Sequence, residues 1–356
     1  MFYNSHIHTF MDSDVPRKFL PLALVRLLAT RTGTAVIGRL LNMINPFSNN
    51  DIFDRYRKFL EISKLGSQEE IFKYCQKFYP KNSRFVVLSM DLAYMSAGEV
   101  PRKYEDQLKE LSDLSNQMPE VIPFMHIDPR RPGVLDLLKK NVEEFGFKGI
   151  KLYPPLGYFP YDQDLYPVYE YCQQQNLPVI SHCSPYNMVH HRGNRKEVAE
   201  MLAKALTPID ITGKRKKELF AFFAHPSNYE PVLKDFPDLR ICVAHFGASH
   251  YWDQFLLNPE AEGNWFVIIK KMLEKHENFY TDISYTLNDR AYFSLLKVLM
   301  YDDKINRKIL FGSDYYMVET KADERRFGID LRAFLGQENF DLISVSNTER
   351  FLGIKG

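Results

Sequence analysis

A single (β/α)8 TIM barrel, with a long helical insertion after its first strand, is the fold this sequence predicts. Three observations carry the expectation. Short apolar runs alternate with charged, helix-patterned stretches, as in a parallel sheet with crossover helices. Eight such runs follow one another in βα order, and no GxGxxG follows the first, which argues against an open dinucleotide-binding sheet. The 356 residues are also compatible with one barrel carrying insertions.

The expected strands are Phe2–His6, Arg84–Met90, Val121–Ile127, Lys148–Tyr153, Pro178–His182, Arg240–His245, Phe279–Ile283 and Lys308–Phe311. Helical patterns such as Val134–Phe145, Leu165–Gln175, Pro231–Phe236 and Ala291–Met300 fall between them. Two connections are too long for a bare barrel. Residues 9–80 separate the first two strands with a mostly helical pattern, and without them the chain nears the roughly 250 residues typical of this fold. Residues 184–238 follow the fifth strand and carry a basic patch, Lys214, Arg215, Lys216 and Lys217, which reads as a solvated helix face. Connections of this length on the catalytic face are commonly lids or substrate walls. Residues 1–356 are therefore expected to form one barrel unit.

Composition narrows the function classes. The chain is 45% hydrophobic and 26% charged, ordinary for a soluble protein that buries a large core without staples. Forty-six Lys+Arg against 45 Asp+Glu leave a formal charge of +1, so no global field draws it to nucleic acid or membrane. Cys75, Cys172, Cys183 and Cys242 lie far apart with no CxxC pair, as expected of free thiols in a reducing cytoplasm. The start MFYNSHIHTF lacks a basic segment followed by an apolar one. The apolar window Phe19–Ala29 is interrupted by Arg26 and is too short to span a bilayer. The expected partner is a small-molecule substrate, without nucleic acid or membrane; a homodimer is expected only because barrels often pair.

The chemistry lies at strand ends. His6 and His8 are two apart at the end of the first strand, and period two puts both imidazoles on one face. An HxH pair alone is weak, but its place at a C-terminal strand end is where barrels keep catalytic residues. His182 ends LPVIS, His245 ends RICVA, and Asp314 follows ILFGS. Ligand-type side chains from four strand ends converge on one spot if the sheet closes. Neutral imidazoles together with a carboxylate suit zinc, with manganese or iron as alternatives.

These segments resemble the metal-dependent amidohydrolase superfamily, specifically the amidohydrolase-2 branch that includes aminocarboxymuconate-semialdehyde decarboxylase-like enzymes. SHIHTF, GFKGIKLYPP, LPVISHCS, FPDLRICVAHFGAS, NFYTDIS, ILFGSDYY and SNTERFLGI match in family order, GSDYY and VAHFG being the most specific. The 9–80 and 184–238 segments are less family-like. The resemblance implies that His6, His8, His182 and Asp314 ligate a divalent metal, one zinc by preference. It implies that Asp314 also takes a proton, and that His245 stands beside the metal as a polarising or oxyanion-stabilising residue. Some relatives carbamylate a strand-four lysine so that it bridges two metals, and Lys151 lies on the fourth strand; a second metal is expected only if Lys151 is carbamylated. Otherwise Lys151 faces the substrate, pairs with a carboxylate, or points outward.

Other candidates are weaker. His126 and Asp128 share a face at the end of the third strand, and Asp91 ends the second; mouth residues often only tie loops together. Asp282 is expected to make a structural hydrogen bond. Arg192, after His190 and His191, has the chemistry to bind a carboxylate, though loop decoration explains it. His225-Pro226 is expected to open a helix with Ser227 or Asn228 as cap. Tyr153, Tyr158, Tyr161 and Tyr186 cluster after strands four and five as pocket wall or packing. The leading expectation is hydrolysis of a C–N or C–O bond, with non-oxidative decarboxylation of an unsaturated or aromatic carboxylic acid as the alternative. HIHTFMDSD superficially resembles polymerase-and-histidinol-phosphatase-type phosphoesterases, but no histidine here has Asp two residues before it. A non-catalytic barrel would normally lose a ligand, and here the set is complete.

Overall fold

In a computed structural model, which describes residues 2–19, 58, 61–185, 187, 189–320 and 322–354, eight parallel strands run in chain order in one sheet. They are β1 (Phe2–Ile7), β2 (Ser83–Leu88), β3 (Val121–Ile127), β4 (Gly149–Leu152), β5 (Val179–Ser181), β6 (Ile241–Val243), β7 (Phe279–Asp282) and β8 (Ile309–Leu310). The barrel closes because β1 accepts the chain leaving β8. Ser5 N donates to Phe311 O at 2.8 Å, Asp314 N to His6 O at 2.8 Å, and His8 N to Tyr315 O at 2.6 Å.

Alternation along the strands sorts side chains into two cores. Val86, Leu88, Ile122, Phe124, Ile180, Cys242, Tyr280 and Leu310 fill the barrel interior with Tyr3 and Phe351. Their neighbours Val87, Met125, Ile150, Val179, Ile241, Phe279 and Ile309 belong to the larger core outside the sheet. Helices lie between the strands, among them Tyr104–Gln117, Val134–Glu143, Tyr166–Gln174 and Trp265–Lys275. The last helix, Asn347–Leu352, brings Phe351 into the inner cluster, and Asn347 Nδ2 donates to Ile309 O at 2.7 Å.

Of the 9–80 connection the structure describes the ends, a short turn at Asp12–Asp14 and a helix at Gln68–Gln76. Residues 20–57, with most of the Phe19–Ala29 window, lie outside the described residues. The 184–238 connection carries helices Arg195–Leu202, Lys216–Phe223 and Glu230–Asp235. Its basic patch leads into the second of these. The expected cap, Ser227 or Asn228, is corrected: His225 itself caps the turn that Pro226 opens, its Nδ1 accepting from Ser227 N at 3.2 Å. Among the described residues, no helix is long and apolar enough to cross a membrane.

Candidate functional site

The two histidines of β1 face inward because the strand is irregular. Tyr3 lies in the inner core and Ile7 in the outer one, although residues four apart on a regular strand share a face. The register of β1 on β2 shifts between Asn4 and Ile7. Such a bulge inverts the alternation beyond it, turning His6 and His8 into the barrel.

Each imidazole is then fixed at one nitrogen. His6 Nδ1 donates to Asp282 Oδ2 at 2.8 Å and His8 Nδ1 to Leu88 O at 3.0 Å. A carboxylate and a carbonyl only accept, so both protons sit on Nδ1 and both Nε2 lone pairs are free to face Asp314. The distances to Asp314 Oδ1 are 3.6 Å from His6 and 3.4 Å from His8. Ligand atoms of these three buried residues all lie within 4.8 Å of one another. This donor set fits a divalent cation: two neutral imidazoles, a carboxylate, and outer partners that orient the rings.

His182 stands outside that trio. Its Nδ1 lies 3.0 Å from His245 Nε2, and its ring stacks on Tyr153 with centroids 4.3 Å apart. His245 Nδ1 donates to Ser284 O at 3.1 Å, so His182 Nδ1 is the donor in their contact. A neutral His182 cannot also donate from Nε2, which lies 2.6 Å from the Asn187 amide. The Asn187 NH2, otherwise without a partner among the described residues, satisfies the pair when it faces the ring. His182 and His245 thus each have one lone pair taken up by an internal bond. The ring of His245 is nevertheless close to the trio, 5.2 Å from that of His6.

Sequence alone placed His182 and His245 at strand ends. In the structure β5 stops at Ser181 and β6 at Val243, so both residues follow their strands. His245 has φ 69°, Phe246 φ 41° and Asp314 φ 64°. A left-handed backbone is costly for such residues, and here it ends the ladder and aims the side chain at the mouth. Gly312 allows the approach of β8 to β1: a Cβ there would lie 2.8 Å from His6 Cβ.

Asp282 is the hub, and every neighbour donates to it. Besides His6 it accepts from His245 N and Ser284 N, both at 3.0 Å, and from Ser284 Oγ. Burial pushes its carboxyl up, but the neighbouring His6 and His245 outweigh that and hold it below the usual carboxylate range. Burial and the Lys151 charge push His6 down to about 4, while Asp282 and Asp314 pull upward. Burial and His245 hold His182 well below the ordinary histidine value. Ser284 escaped the sequence reading; its Oγ lies 3.0 Å from His245 Nδ1 and 3.2 Å from His6 Nδ1, and its only signal is its place two residues after Asp282.

Lys151 faces inward and is fully buried. Its Nζ is 3.5 Å from His6 Nε2. Burial lowers its pKa to about 8 against the upward pull of Asp314 and Asp282. At the mouth, Asp91 pairs with Arg131 and Asp128 with Arg130, both at 2.6 Å. Tyr158 OH donates to Ile127 O and Tyr161 OH accepts from Leu206 N, so of the tyrosine cluster Tyr153 alone touches the histidines among the described residues; Tyr186 lies outside them. His190 stacks on Phe220 and His191 pairs with Glu197, as loop structure.

Comparisons with known proteins bear on the fold and the family. Residues 95–354 match the family model described as Amidohydrolase. No curated protein matches the sequence. Among solved structures, 4-oxalomesaconate hydratase from Rhodopseudomonas palustris superposes with a TM-score of 0.53 at 17% identity, covering 99% of this chain and 96% of its own. An amidohydrolase from Burkholderia multivorans with bound zinc gives 0.54 at 11% identity, covering both chains fully. Amidohydrolase 2 from Bifidobacterium longum subsp. infantis gives 0.51 at 12%, covering 99% of each. At these identities the likeness is one of fold. The family match spans well over half of the chain and includes the segments bearing His182, His245, Asp282 and Asp314. The chain belongs to the amidohydrolase family, a family of enzymes of hydrolase-type or related chemistry.

Proposed function

We propose that this chain is a metal-dependent hydrolase that opens a C–N or C–O bond of a small molecule, such as an amide, lactone or ester. The observation that carries the reading is the convergence of two Nε2 lone pairs on Asp314 while both Nδ1 protons are held by fixed acceptors. His6, His8 and Asp314 would hold the cation, with His182 as fourth ligand once its internal bonds are exchanged. Zinc suits the set first, manganese or iron next. A bound cation of this kind supplies Lewis acidity and lowers the pKa of water toward about 7.

The chain's own residues do the rest. Asp314, whose Oδ1 meets the Nε2 atoms of His6 and His8, accepts a proton at a carboxylate oxygen. His245, its ring oriented by Ser284, would meet developing negative charge once its Nε2 bond to His182 is exchanged and that nitrogen carries a proton. Asp282 keeps His6 in its tautomer throughout. Lys151 has no carboxylate within 4.0 Å among the described residues, and its ammonium lies beside the site; this favours substrates bearing an acid group. It also supports decarboxylation of such an acid as the second reading.

Loading the purified protein with zinc and assaying a panel of lactones, amides, esters and unsaturated acids separates the two. Hydrolysis consumes base without gas, whereas decarboxylation releases carbon dioxide. The reading expects base consumption that vanishes in Asp314→Ala. Turnover that persists unchanged in that variant overturns it.

A further inference from the structure

His126 is a buried histidine that the proposed chemistry does not use. Ile122 and Phe124 precede it on the inner face of β3, so alternation turns His126 into the barrel as well. It is fully buried and lies in register with Lys151 across the β3–β4 pair. Its backbone is held on both sides: His126 N donates to Ser89 Oγ at 2.9 Å, and Tyr104 OH donates to His126 O at 2.8 Å.

The ring is fixed too. Asp91 N donates to His126 Nδ1 at 2.8 Å. An accepting Nδ1 in a neutral ring leaves the proton on Nε2, and burial holds the ring neutral by pushing its pKa down to about 3. Among the described residues that Nε2 has no hydrogen-bond partner. The nearby carboxylates do not supply one. Asp128 is engaged by Arg130 Nε and Nη2 at 2.8 and 2.6 Å, and Asp91 by Arg131 at 2.6 Å. A preorganised, buried donor left without an acceptor is costly unless something else completes it.

Lys151 shows what kind of group that is. Its ammonium stands on the neighbouring strand at the same level, buried, and 3.5 Å from His6 Nε2. Two donors, one of them cationic, therefore stand side by side on β3 and β4, the cationic one beside His6, and neither pairs with a carboxylate among the described residues. We propose that His126 is a substrate-binding residue whose Nε2–H donates to a carboxylate oxygen of the substrate, beside the Lys151 ammonium. The proposal deepens the functional reading above and rests on it for the position of the reacting bond.

Two substitutions split the ring's two roles. His126→Asn keeps an acceptor where Nδ1 receives Asp91 N–H and removes the Nε2 donor. His126→Gln keeps a donor near Nε2 and gives up the acceptor. Malonate, succinate and benzoate are titrated calorimetrically into zinc-loaded full-length protein. The wild type is expected to bind at least one of them, His126→Asn to bind it about tenfold or more weakly, as for loss of a hydrogen bond to a charged group, and His126→Gln to stay within about threefold. Zinc content is expected to be equal in all three. Should His126→Asn not fold, nitrogen-15 NMR of the wild type reads the His126 Nε2–H directly, and its signal is expected to move on adding the bound carboxylate. A wild type that binds none of the three, an Asn variant that binds as tightly, equal losses in both variants, or an unmoved Nε2–H signal overturns the proposal. Carboxylate affinity needs no turnover, so it fails separately from the hydrolysis assay that tests the functional reading.

Discussion

Asp282 Oδ2 accepts the Nδ1 proton of His6 at 2.8 Å, 276 residues away in sequence, and so fixes which nitrogen of His6 can take a cation. The remaining contacts of Asp282 all come from donors as well. An amide at this position has to point its NH2 at one of them. Asp282→Asn is therefore expected to weaken zinc affinity by about 10- to 100-fold, the usual effect of losing an outer-sphere partner. Competition with a chelating dye measures it; unchanged affinity contradicts the role.

Gly312 permits the contact that brings Asp314 to the β1 histidines. A Cβ would meet His6 Cβ at 2.8 Å and Ser284 Cβ and Ser5 Oγ at 3.3 Å, so His6 has to move. Gly312→Ala is expected to destabilise the fold by about 1–3 kcal/mol, as overpacking does, and to lower zinc affinity. Denaturant unfolding and zinc titration check the two effects.

Phe351 offers a control at the opposite end of the barrel. Truncating it leaves a void beneath the inner cluster. Phe351→Ala is expected to cost about 3–5 kcal/mol while the folded fraction still binds zinc with native stoichiometry. Loss of metal from fully folded variant protein would show that the floor and the mouth are coupled.

Acid sensitivity follows from His126. Burial lowers its pKa to about 3 in the folded chain, while the unfolded chain takes up the proton near pH 6.5. The folded state binds fewer protons between those values, so its contribution is intact above about pH 6.5 and shrinks as pH falls. At pH 5 the loss is roughly 2 kcal/mol for this one residue. Urea unfolding at pH 8 and pH 5 is expected to show a smaller drop in His126→Asn than in the wild type; an identical drop contradicts the assignment.

The barrel was legible because apolar runs of strand length recur eight times, and the inner and outer cores follow their alternation at Val86–Leu88 and Ile122–Phe124. His6 and His8 were legible as a pair, but the bulge that turns them inward was not, since Tyr3 and Ile7 look alike in a hydropathy pattern. The backbone turns at His245 and Asp314 likewise leave no mark in apolar period. The sequence pattern makes His182 an equal member of the ligand set, while its bonds to His245 and Asn187 depend on loop geometry that strand periodicity does not encode. Ser284 and the orphaned nitrogen of His126 are visible only once four strands are placed side by side.

Anomalous diffraction at the zinc edge, on crystals of the zinc-loaded protein, tests the central claim most directly. The account predicts a peak about 2.0–2.2 Å from Nε2 of His6, Nε2 of His8 and a carboxylate oxygen of Asp314. A loaded protein whose peak lies elsewhere, or with Asp314 or either imidazole beyond bonding reach, contradicts it.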